Sequence, residues 1–107
     1  MVWNGICPAL YNDAQVCGEA IRALTPLLPG IRLTQDRPLS LGGDNFAEFN
    51  QVVPGAYAYL GTGNPAKENT LHPAHNGHFD IDEDTLATGA ALYAGYAQWW
   101  LEQEGGK

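Results

Sequence analysis

The sequence predicts an α/β domain built in layers. Strand-like and helix-like segments alternate along the chain in the order β, α, β, short α, β, loop, α. Residues 56–60, Ala-Tyr-Ala-Tyr-Leu, form the unbroken apolar run expected of a strand covered on both faces. The chain then closes on a strongly signalled helix. At 107 residues there is room for one small domain with a modest core.

Residues 2–10 mix Val, Trp, Ile and Cys with Gly5 and Pro8 and read as a short strand or extended entry. Asn12-Asp13-Ala14-Gln15 opens a helix, with Asn12 as the cap, Asp13 in the first turn and Gln15 reaching back in a capping box. Cys17, Ile21, Leu24 and Leu28 recur at helical spacing, and Pro26 and Pro29-Gly30 end the run. Residues 31–35 alternate as a half-buried strand. Gly42-Gly43 precedes a short helix over residues 44–49 that carries Phe46 and Phe49. Glycines before a helix let a ligand or another backbone approach, and the free amides favour an anion; the same pair would also serve an ordinary loop-to-helix joint. Pro54-Gly55 turns the chain into the 56–60 strand, which Gly61-Thr62-Gly63-Asn64-Pro65 ends. Residues 66–77 make a polar loop long enough to be functional or disordered. Asp82 is placed as the N-cap of a helix over about residues 83–103, whose apolar face runs through Leu86, Ala90, Tyr93, Ala97 and Trp100. The sheet so obtained is thin, and Trp99 and Trp100 point to different faces. Both features imply that the chain belongs to a larger domain or pairs with itself.

Five basic residues against twelve acidic ones give a formal net charge of −7. Nucleic acid and anionic membrane surfaces are poor partners for such a chain, since both are bound through clustered Lys and Arg. No apolar run approaches the roughly 20 residues of a membrane span. No signal peptide is visible, and Cys7 and Cys17 make no disulfide framework, so a reduced, cytoplasmic setting is expected, with both thiols idle.

The stretch over residues 60–86 holds all three histidines, His72, His75 and His78. Chemistry that needs a neutral nitrogen ligand or a proton carrier at pH 7 has only these side chains to use. His72, His75, His78 and Asp80 could between them hold a single zinc ion, although their spacing is no finger pattern.

Several motifs in order resemble one family. They are Gly42-Gly43-Asp44-Asn45-Phe46-Ala47, Val53-Pro54-Gly55, Leu60-Gly61-Thr62-Gly63-Asn64, and His75 leading to Phe79-Asp80-Ile81-Asp82-Glu83 and Gly89-Ala90-Ala91. Together they resemble the C-terminal part of the metal-dependent amidohydrolases, the group of hippurate hydrolase, the N-acyl-amino-acid aminoacylases and the hydrolases of indole-acetyl amino acids. The resemblance runs from about residue 11 to about residue 100. It implies the C-terminal third of a metallopeptidase-type catalytic domain, a partial three-layer α/β/α sheet, in which residues 1–12 are the exit strand from a lid domain and residues 13–107 continue the catalytic domain. It implies a two-metal centre of zinc or manganese for which this chain supplies one ligand, His75. The general base and the other ligands belong to an N-terminal half outside the chain. Gly42, Gly43, Asp44, Gly61, Thr62 and Gly63 would then line the cleft for an N-acyl amino acid. The family usually has Gly-Gly-Glu-Asp-Phe where this chain has Gly42-Gly43-Asp44-Asn45-Phe46, with an acid one carbon shorter and one charge fewer. The expected function is part of an amide-cleaving hydrolase, inactive alone and completed by the missing half or a second copy of itself; the alternative is a non-catalytic, self-associating α/β module.

Overall fold

In the computed structural model the described residues are 7–105, so most of the entry strand expected over residues 2–10 lies outside them. The helices are α1 (Ala14–Leu24), α2 (Phe46–Phe49) and α3 (Thr85–Gly105), with short 3-10 turns at Thr25–Leu27 and Glu68–Leu71. The chain divides into two compact units, Met1–Ala58 and Tyr59–Lys107.

In the first unit α1 forms where its apolar spacing places it, but one residue later than expected. Asp13, not Asn12, is the cap, and its carboxylate accepts the Val16 amide at 2.9 Å. With Asp13 as cap, the position that would complete a capping box is Val16, which cannot reciprocate; Gln15 bonds Glu19 instead. Asn12 is engaged elsewhere. Its side-chain amide donates to the Tyr57 carbonyl at 2.9 Å and its oxygen accepts the Tyr57 N–H at 2.8 Å, while the Asp13 N–H donates to the Gly55 carbonyl. A primary amide thus supplies both bonds that a neighbouring strand would have offered. The α-helix ends at Leu24, two residues before Pro26, the 3-10 turn ends at Leu27, and Gly30, with φ +87°, takes a left-handed turn after Pro29.

The strands expected over residues 31–35 and 56–60 are not formed; among the described residues the sheet-type pairing is one isolated bridge, Asn64 to Lys67. A strand is stable only when a second strand accepts its ladder and another layer covers its face. Residues 31–35 have neither, and Ile31 and Leu33 stay 47% and 57% exposed. Alternation recorded their capacity to pair, not the presence of a partner. At 56–60 the Tyr57 backbone is tied to the Asn12 side chain rather than to a strand, and the boundary between the two units falls inside the run.

The apolar contacts of the first unit gather on α2. Ala47 is fully buried, Phe46 stacks on Phe49 with centroids 6.2 Å apart, and Phe46 meets the Tyr57 ring at 5.7 Å. In the second unit, α3 is the long element the sequence calls for, begun two residues late. Gly89 leaves room on it for Leu60: a Cβ there would touch the Leu60 methyl at 3.4 Å. Tyr96 and Trp99 stack one turn apart at 6.3 Å, while Trp100, on another face, is 45% exposed.

Candidate functional site

Residues 66–77 are ordered rather than loose. The Glu68–Leu71 turn begins just after the bridge at Lys67, and Thr70 is buried beneath it. Its hydroxyl accepts the Asn64 N–H at 2.8 Å and lies 2.7 Å from the Lys67 carbonyl, to which it donates. Asp82 closes the loop from the far side. It is 7% exposed; its backbone N–H donates to the Thr62 carbonyl at 3.0 Å, and its carboxylate receives the Asn64 amide at 2.6 Å and the Lys67 ammonium. The glycine turn over residues 61–63 and the entry to α3 are therefore held together through one residue, whose backbone N–H takes the Thr62 carbonyl while its carboxylate takes Asn64 and Lys67. The ammonium, and then the Asn64 amide, hold the Asp82 carboxyl below its ordinary value. The carboxylate in turn raises Lys67, against the loss of some of that ammonium's hydration.

This arrangement corrects the role expected of Asp82. The Asp84 N–H reaches its carboxylate only at 3.3 Å, and α3 starts at Thr85 because Asp82 faces the loop before it serves as a cap. Lys67 and Asn64 escaped the sequence reading. The available signal was that Lys67 is the only lysine before the C-terminal residue and lies upstream of the acidic run from Asp80 to Asp84.

The three histidines lie on consecutive turns. The Asn76 N–H donates to the Pro73 carbonyl at 3.2 Å and the Phe79 N–H to the Asn76 carbonyl at 3.0 Å. The Asn76 side chain also accepts the His78 N–H at 2.8 Å. His75 is exposed at the crest with φ +70°, the one non-glycine residue in left-handed backbone among the described residues. Such a conformation costs an L-residue about 1 kcal/mol or more, and residues held so cluster at functional sites. His72 and His78 face one another with ring centroids 5.8 Å apart. Of the turn glycines, Gly61 is open to solvent and Gly63 packs against Leu71 and the Thr70 carbonyl, while Thr62 contributes the carbonyl that holds Asp82.

In the first unit Gly42 and Gly43 lead to Asp44, whose carboxylate accepts the Phe46 N–H at 2.8 Å and the Tyr57 hydroxyl at 3.3 Å. The α2 amide that the sequence left open for an anion is thus already taken by the chain's own side chain. A Cβ on Gly43 would meet the Cys7 sulfur at 3.1 Å, so a side chain there would have to push that sulfur aside by a fraction of an ångström. Cys7 and Cys17 are free, half-buried thiols.

Among the described residues no three His, Cys, Asp or Glu side chains are grouped to hold a metal ion. The single zinc considered for His72, His75, His78 and Asp80 together therefore does not assemble. The donors among the described residues do not make up a whole metal centre.

Residues 2–99 match the model of peptidase family M20/M25/M40, and the chain belongs to that family. It is 31% identical over 101 residues to the IAA-amino acid hydrolase ILR1-like 6 of Arabidopsis thaliana, across 94% of this chain and 21% of that protein. It is 33% identical over 89 residues to thermostable carboxypeptidase 1 of Saccharolobus solfataricus, across 83% of this chain and 21% of the relative. Against the N-acetylcysteine deacetylase of Bacillus subtilis it is 30% identical over 100 residues, 94% of this chain and 24% of the relative. The chain spans about a fifth to a quarter of the length of these relatives. No solved structure matches it. No helix among the described residues is long and apolar enough to cross a membrane.

Proposed function

We propose that this chain is the C-terminal part of a metal-dependent amidohydrolase that cleaves the amide bond of N-acyl amino acids. The observation that carries the reading is the family match over residues 2–99 together with an exposed His75, held in an unfavourable backbone conformation at the crest of a hydrogen-bonded turn. His75 is the one ligand this chain contributes to the catalytic metal centre, of zinc or manganese. The metal's chemistry is to polarise the amide carbonyl and activate water. Gly42, Gly43 and Asp44, with Gly61, Thr62 and Gly63, line the substrate cleft. Residues 1–12 leave the lid domain, and residues 13–107 complete a three-layer α/β/α catalytic domain whose remaining strands come from the N-terminal half. The whole enzyme works in the cytoplasm. The relatives, an amino-acid conjugate hydrolase and a deacetylase among them, support an amide substrate.

The test is complementation. The chain is co-expressed with the N-terminal three-quarters of a family member, and hydrolysis of hippurate and N-acetyl amino acids is followed. Activity is expected only when both parts are present and is abolished by His75→Ala. Hydrolysis by the chain alone, or full activity of the His75→Ala pair, would overturn the reading. A second reading, a self-associating module without catalysis, draws on the exposure of Ile31, Leu33, Leu39 and Leu41; it predicts a stable homodimer that no N-terminal half displaces.

A further inference from the structure

The two histidines not assigned to the family position are brought together by the fold. The turns through Asn76 return the backbone so that His78 faces His72, ring centroid to ring centroid at 5.8 Å with 43° between the planes. Two imidazoles bound to one ion at the ordinary metal–nitrogen distance of about 2.0 Å place their ring centres roughly 4.5–5.5 Å apart. The 5.8 Å between these rings is a few tenths of an ångström beyond that range, a gap that small side-chain rotations close, and the turn bonds of Asn76 bring the two residues together before any ion arrives. The surrounding chain carries a net charge of −7, which raises the local concentration of cations.

We propose that His72 and His78 form a clamp for a single late first-row divalent cation, with water filling its other positions. Imidazole pairs favour Cu²⁺, then Ni²⁺ and Zn²⁺, over Mg²⁺ or Ca²⁺. The site is separate from the role assigned to His75 and does not depend on the missing N-terminal half. A bound ion ties residue 72 to residue 78 and so fixes the turn that carries His75.

The experiment uses the untagged chain with Cys7→Ser and Cys17→Ser, so that thiols do not compete. Ni²⁺ is added, and binding is followed by calorimetry and by paramagnetic broadening of the backbone amide signals. One ion per chain is expected, with broadening centred on residues 72 and 78. His72→Gln and His78→Gln should each weaken binding by roughly 100-fold, the advantage of two tethered ligands over one. His75→Gln should leave it unchanged. No saturable binding, or equal loss in all three variants, would overturn the proposal. Broadening in the parent chain needs no variant to fold, and it decides the matter if a substitution disturbs the turn. Failure here leaves the amidohydrolase reading standing, because that reading is tested through His75 and the added N-terminal part.

Discussion

At the scale of the residue, Asp82 and His75 carry the argument. Asp82 is a short acidic side chain at the right place for a cap, yet it turns to Lys67 and Asn64. Its carboxyl is held below the ordinary 3.8, chiefly by the hydrogen bond from Lys67. A depressed carboxyl stabilises the fold fully above its ordinary value and loses that contribution as pH falls through the lowered one. Lys67 is raised above 10.5, so its contribution is complete below that value and is lost as pH rises through the raised one. The clasp is therefore insensitive to pH between these limits. A carbon-detected titration should find the Asp82 carboxyl titrating below 3.8, and Lys67→Met should move it back up; an Asp82 that titrates normally in the parent chain means the clasp is not formed. His75 gives a second prediction. His75→Gly removes the left-handed penalty, so the Asn76 and Phe79 amides should exchange no faster than in the parent. In His75→Val, where the β-branch is forced into that conformation, exchange should quicken about fivefold for each kcal/mol lost.

At the scale of the element, α1 shows how a neighbouring residue settles a boundary. Asn12 and Asp13 are both good caps, and local propensity favours neither strongly. Tyr57 decides between them by taking both ends of the Asn12 amide. Asp13→Ala should cost about 1 kcal/mol and be seen as faster exchange of the Val16 amide and lower helical circular dichroism. Asn12→Asp keeps an acceptor for the Tyr57 N–H but sets a carboxylate oxygen against the Tyr57 carbonyl, so residues 55–57 should loosen while α1 stays intact. A Cβ at Gly55 would collide with the Asn50 side-chain oxygen. Gly55→Ala should therefore break the bond from Asn50 to the Tyr11 carbonyl at a cost of about 1 kcal/mol.

At the scale of the whole molecule, the buried apolar side chains among the described residues are Ala23 and Ala47, while Leu39, Leu41, Val52 and Tyr93 stand almost wholly in water. So small a buried surface gives little cooperativity. Heating the isolated chain should produce a broad transition with an enthalpy well below the roughly 60–80 kcal/mol of a close-packed domain of about 100 residues. The chain should also bind hydrophobic dyes before it unfolds. Addition of an N-terminal family segment should sharpen the transition and suppress dye binding; a sharp transition in the chain alone would contradict this account of the exposed side chains.

Local chemistry in the sequence determined the helices, because caps, apolar spacing and proline–glycine stops act over a few residues. It also singled out the histidine-bearing stretch and, through motifs kept in order, the family. Tertiary structure alone decided what distant residues do for one another. It made Asn12 a substitute for a strand edge, turned Asp82 from a cap into the partner of Lys67, brought the Tyr57 hydroxyl to Asp44, and left residues 31–35 without a ladder. Strand pairing and ion pairing need a partner far away in the chain, and a pattern along one segment records only readiness to accept it.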